Sequence, residues 1–148
     1  MKMREAIKTM MLVSLVIVAL TGCGGIVPPV ETVENPFIEV TSPKDGDVID
    51  GKDGYLEVTW TTNDLHSPFV DIDFICADNE GVQIGGEERI GSNIPASDEY
   101  FVFGPDIASW IMSKFGKVPD ICQVKVTECE SNFDQEWNYS EVFIVTFD

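Results

Sequence analysis

The stretch Val70-Asp71-Ile72-Asp73-Phe74-Ile75-Cys76 (VDIDFIC, residues 70–76) decides the fold. Successive side chains of an extended chain point to opposite sides, so Val70, Ile72, Phe74 and Cys76 share one face and Asp71 and Asp73 the other. No helical turn separates these residues by polarity, so the segment reads as a half-buried strand. Upstream, YLEVTWT at 55–61 repeats the pattern with Leu56, Val58 and Trp60 on one side and Glu57 and Thr59 on the other. FIEVT at 37–41, VQI at 82–84, YFVF at 100–103, CQVKVT at 122–127 and EVFIVTF at 141–147 extend it in both directions. Turn-forming residues fall between them, at Pro43 to Gly46, Asp50 to Gly54, Asp78 to Gly81, Gly85-Gly86 and Ser131 to Asn138.

Many short alternating strands with such punctuation predict an all-β fold, an Ig-like or fibronectin-III-like antiparallel β-sandwich of about seven strands. One segment departs from period two. In PDIASWIMSKFG, residues 105–116, the apolar Ile107, Trp110, Ile111 and Phe115 recur at three- and four-residue steps between a proline and a glycine. Those are helix start and stop signals, and they predict one short helix near 105–115 with Trp110 in the core.

The beginning of the chain follows a different logic. Lys2, Arg4 and Lys8 precede the apolar run MMLVSLVIVAL at 10–20, which is shorter than the about 20 residues a spanning helix needs. A basic start, a short apolar stretch and small residues make an export signal over residues 1–22. Leu20-Thr21-Gly22-Cys23 resembles the bacterial lipobox, which implies cleavage before Cys23 and lipid on its thiol and new amino group. Several acyl chains hold firmly, since each buried methylene contributes about 0.8 kcal/mol. Residues 23–35, with GGIVPPVETVEN after the cysteine, read as the lipidated residue and a flexible tether, and residues 36–148 as one domain.

The whole chain has 9 basic and 26 acidic side chains, a net of −17; without residues 1–22, which hold three of the bases and one acid, 6 and 25 remain, a net of −19. Nucleic acid is excluded as a partner, because its binding needs Lys and Arg against phosphates. Adsorption to anionic lipid is disfavoured for the same reason, which leaves the lipid anchor as the route to the membrane. The expected location is the cell envelope, with the domain facing periplasm or extracellular space.

Outside the cytoplasm the three further cysteines, Cys76, Cys122 and Cys129, favour a disulfide with one thiol left over. Cys122 and Cys129 lie seven residues apart, about 23 Å along a strand, and bridged Cα atoms approach within about 7 Å. Cys76 and Cys122 both carry inward parity on strands that an Ig-like topology sets side by side, so this is the favoured bridge, with Cys76 to Cys129 the runner-up and three reduced cysteines, buried or at a loop edge, the remaining alternative.

Chemistry-bearing constellations are sparse. Asp45, Asp47, Asp50 and Asp53 fall within DGDVIDGKDG and make calcium the one candidate ion, since calcium takes several hard oxygens on a glycine-bearing loop. The spacing is not that of an EF-hand. His66 is the sole histidine, in the loop NDLHSP, and reads as solvated; with no G-x-S-x-G and no C-x-x-C, neither a hydrolase triad nor a zinc site is indicated. Phe133, Trp137 and Tyr139, in the penultimate loop, are the candidate ligand-contacting aromatics, with packing of the loop on the core as the alternative.

VTSPKDGDVIDGKDGYLEVTW, residues 40–60, resembles the opening of Ig-like modules in the Ser-Thr-rich anchored surface-protein family. VDIDF at 70–74, IGSNIPASDEYFVF at 90–103, CQVKVT at 122–127 and YSEVFIV at 139–145 continue the likeness in order, while Ile49 replaces a usual aromatic residue and the 105–116 segment is long. The resemblance implies a surface-associated module with Trp60 in the core, and it supplies no catalytic residues. The expected function is therefore a membrane-anchored, non-catalytic interaction or adhesion module for a surface protein or glycan. A structural envelope spacer without a discrete ligand is the alternative, and a hydrolase of unrecognised type comes last.

Overall fold

A computed structural model describes residues 35–129 and 135–148. Among the described residues nine strands and one α-helix follow in the order β1 (Phe37–Ser42), β2 (Val48–Asp50), β3 (Leu56–Asn63), β4 (Phe69–Ala77), β5 (Gln83–Pro95), β6 (Tyr100–Phe103), α1 (Ile107–Phe115), β7 (Ile121–Glu128), β8 (Trp137–Tyr139) and β9 (Ile144–Thr146). Strands β1-β3-β6 form one antiparallel sheet and β5-β4-β7-β8 the other, while β2 runs parallel to β9. In Ig lettering these are sheets A-B-E and C′-C-F-G, the sandwich the alternation predicted.

Alternation builds the core directly. Leu56, Val58 and Trp60 of β3 face Val70, Ile72, Phe74 and Cys76 of β4 and Cys122, Val124 and Val126 of β7, all nearly without solvent contact. Trp60 donates its indole N–H to the Ala96 carbonyl at 3.0 Å, so the largest core side chain leaves no unpaired donor. Phe143 and Val145 close the layer from the β9 side.

Helix α1 covers one end of this core with Ile107 and Ile111. Half-buried Trp110 packs edge-to-face on Phe103 and Phe74, at ring separations of 4.9 and 5.5 Å. The start differs from the expected one: Asp106, not the proline, is the N-cap, and Gly116 at φ 73° ends the helix by donating its N–H to the Met112 carbonyl. Among the described residues no helix is long and apolar enough to cross a membrane.

Three strands depart from the expectation, and the first is β8, which begins within the stretch Ser131 to Asn138 read as a turn and pairs with β7. β5 continues past Ile84 through GGEERIGSNIP to Pro95, a run of 13 residues with glycines and acids and little strand propensity. Its pairing with β4, interrupted by register shifts near Val70, Ile72 and Phe74, supplies the order that propensity does not. β2 lies inside the acidic turn region, where Gly51 donates its N–H to the Thr146 carbonyl at 3.2 Å. Gly51 is required there, since a Cβ would collide with that carbonyl and with Ala108.

Cys76 and Cys122 are direct partners across β4 and β7, as expected, but they are not bonded: both are thiols and their Sγ atoms stand 3.7 Å apart. That corrects the expected disulfide, whose S–S length is about 2.05 Å. Cys122 exchanges both backbone hydrogen bonds with Phe143, on the side away from β4. Cys76 and Cys122 are thus a non-hydrogen-bonded pair, in which side chains come close enough to pack as two small apolar groups. The alternative bridge is absent too, for Cys129 is a thiol that points to the other face of the sheet and donates to Asp71.

Candidate functional site on the outer sheet face

The parity that buries Val70, Ile72 and Phe74 turns Asp71 and Asp73 outward, and the same rule turns Gln123, Lys125 and Thr127 outward on β7. Register then sets these residues in rows. Arg89 of β5, Asp73 of β4, Lys125 of β7 and Tyr139 of β8 form one row, and Asp71, Thr127 and Trp137 the next. The floor of the face is polar, and its β8 edge is aromatic.

Arg89 ties the acidic side together. Its Nε donates to Asp73 Oδ1 at 2.7 Å, its Nη2 to Asp73 Oδ2 at 3.4 Å and its Nη1 to Asp71 Oδ2. Asp71 Oδ1 also accepts from the Asn93 N–H at 2.9 Å, Cys129 Sγ at 3.0 Å and Ser92 Oγ at 3.2 Å. Burial alone pushes the Asp71 carboxyl up, but the hydrogen bonds from Cys129 and Asn93, the Arg89 charge and the Ser92 hydroxyl outweigh it and hold it below its usual value. Conversely, burial and then the Asp71 carboxylate push the Cys129 thiol up to about 11.

On the other side Lys125 pairs with Glu87 at 3.2 Å and lies over both aromatic rings, 5.6 Å from the Trp137 centroid and 5.7 Å from that of Tyr139. The two rings meet edge-to-face, 5.2 Å apart at 68°. Lys125 comes from the β7 side, and Trp137 stays 53% and Tyr139 37% exposed. On Thr127, the register partner of Trp137, the hydroxyl is buried without a hydrogen-bond partner.

No protein-family model, curated protein or solved structure matches this chain. The chemistry of the face therefore rests on its own residues.

Of the expected site residues, Trp137 and Tyr139 come together on this face, while Phe133 and Cys23 lie outside the described residues. Asp45, Asp47, Asp50 and Asp53 do not converge: among the described residues no group of three or more His, Cys, Asp or Glu side chains is arranged to hold a metal. Asp47 accepts the Lys44 N–H at 2.8 Å, and Asp50 the N–H groups of Lys52 and Asp53 at 2.9 and 3.2 Å. These are self-capped turns, and the backbone bonds from Lys52 and Asp53 lower the Asp50 pKa.

His66 is not simply solvated. Its Nδ1 lies 3.7 Å from Oε2 of Glu128, a wholly buried acid at the end of β7. Glu128 Oε1 accepts the Ser67 N–H at 2.5 Å and Oε2 the Glu136 N–H at 3.3 Å, so one carboxylate joins the β3–β4 loop to the segment entering β8. Sequence reading missed this group, although its parity with Val124 and Val126 puts an acid at an apolar position. A cleft of about 310 Å³ elsewhere is lined by Glu39, Thr41, Pro43, Lys44 and Glu141, and Glu141 is engaged there by the Asp45 N–H at 2.8 Å.

Proposed function

We propose that this chain is a lipid-anchored, extracytoplasmic, non-catalytic binding module. Residues 1–22 direct export, Cys23 carries the lipid, and the segment to Asn35 holds the domain away from the bilayer. The resemblance to Ser-Thr-rich anchored surface proteins supports a surface setting. A ligand, glycan or surface protein, is met by the outer face of the β5-β4-β7-β8 sheet.

The observation that carries the binding role is the Trp137–Tyr139 pair, two neighbouring large rings left partly open to water beside the ion pairs of the face. Aromatic side chains concentrate binding energy at interfaces because they bring much area at little entropic cost. The test sets the full-length chain against its Trp137→Ala variant on arrays of envelope glycans and surface proteins. Retention of a ligand by the first and its loss from the second is expected. If the two behave alike, the spacer reading replaces this one. Anchoring is read separately: radioactive palmitate enters the chain but not its Cys23→Ser variant, and equal labelling would refute the anchor.

A further inference from the structure

We infer that the outer sheet face binds an uncharged glycan, taking a single pyranose chain against Trp137 and Tyr139; this rests on the proposed binding role of that face. Charge supplies the first argument. Arg89 and Lys125 stand there against Asp71, Asp73 and Glu87, every one of them in an ion pair, so the face is close to neutral. The other described residues have 4 basic side chains against 18 acidic ones. A polyanionic glycan is repelled by that surround, and a polycation is drawn to it in preference to this face. An uncharged ligand meets neither effect.

Chemistry supplies the second. The C–H face of a pyranose is apolar and stacks on indole or phenol rings, while its hydroxyls both donate and accept hydrogen bonds. Rings and polar groups lie side by side here: Lys125 and Gln123 offer donors, and Asp71 and Glu87 offer acceptors already held in place by their partners, while Asp73 is buried under Arg89. Preorganised groups lose little entropy on binding. A peptide strand would instead engage free backbone of an edge, which makes no use of the paired charges.

Ring geometry supplies the third and narrows the ligand. Trp137 and Tyr139 are tilted 68° to one another, with Lys125 over both rings, so they make no flat platform for the planar face of a crystalline polysaccharide, and a single soluble chain meets the exposed ring surface that Lys125 leaves open.

The test titrates the full-length chain, reconstituted in phosphatidylcholine vesicles, with hexasaccharides of glucose, mannose, galactose and N-acetylglucosamine. Tryptophan fluorescence and calorimetry are the readouts, with heparin and crystalline cellulose as controls. Saturable binding of at least one neutral hexamer is expected, equal at low and high salt, weakened about tenfold or more by Trp137→Ala and largely retained by Trp137→Phe. Thermal unfolding of each variant establishes that the fold is intact. Failure of all four neutral hexamers, salt-sensitive binding, or tighter binding to heparin or cellulose would overturn the inference. If a surface protein is bound through Trp137 while no glycan is, this inference falls and the binding role stands. If neither is bound, both fall.

Discussion

Cys76 on β4 and Cys122 on β7 face one another directly across the sheet, with their Sγ atoms 3.7 Å apart. Contact with Cys76 and burial push the Cys122 thiol far above its ordinary pKa, so neither the anion nor a reagent has ready access to this part of the core. Both thiols are therefore expected to resist iodoacetamide until the protein unfolds. The unfolding temperature is expected to be the same with and without dithiothreitol, and Cys76→Ala or Cys122→Ala to cost about 1 kcal/mol each. Rapid labelling of the folded chain would contradict this packing.

Glu128 is wholly buried and accepts backbone N–H groups from two different segments. Glu128→Ala leaves those donors without partners, and a loss of about 3 kcal/mol is expected in urea unfolding. Glu128→Gln keeps an acceptor and recovers part of it. An alanine variant as stable as the parent would show that the carboxylate does not join the loops.

The Thr127 hydroxyl gives the opposite sign. It is buried with no hydrogen-bond partner, which costs stability without return. Thr127→Val has nearly the same shape, suits a strand, and is expected to raise stability by about 1 kcal/mol. A destabilised variant would mean that the hydroxyl has a partner in solution.

Two linked groups bound the pH range of stability. The Asp71 pKa is lowered by folding, so its contribution is present above its unfolded value near 3.9 and is lost as pH falls through the folded value. The Cys129 thiol is raised to about 11, so its contribution is complete below about 8.5 and is lost as pH rises toward 11. Unfolding followed against pH should show a shallower acid slope in Asp71→Asn and a shallower alkaline slope in Cys129→Ala, the remainder belonging to groups such as Asp50 and Cys122. Unchanged slopes would refute the link.

Calcium is expected to leave the unfolding temperature where it is, because Asp47 and Asp50 already cap their own turns. A rise on adding calcium that EDTA reverses would overturn this.

How far the fold could be read depended on where its causes lie. β4 and β7 were legible because apolar residues recur at every second position through Val70, Ile72, Phe74 and Cys76 and through Cys122, Val124 and Val126, and that face of each is core. β5 was legible only at Ile84, since an exposed edge strand with Gly85, Gly86, Glu87 and Glu88 is ordered by its neighbour and not by its composition. β2 was hidden for a similar reason: Val48 pairs with Ile144, far along the chain, and no local pattern encodes such a partner. The aromatic half of the candidate site showed in the sequence as Trp137 and Tyr139. The half made by Arg89, Asp73 and Lys125 did not, because it exists only once three strands are in register.

The parallel pairing of β2 with β9 bears on mechanics. Ile144 donates its N–H to the Asp47 carbonyl at 2.9 Å and Gly51 donates to Thr146, so these bonds bracket the first part of the domain and its last strand. Tension applied between residues 36 and 148 drags the two strands past each other lengthwise. Their bonds then share the load together and do not open in turn like a zipper. A domain laced in this way yields late under shear, a useful property for any protein held at one end and pulled at the other.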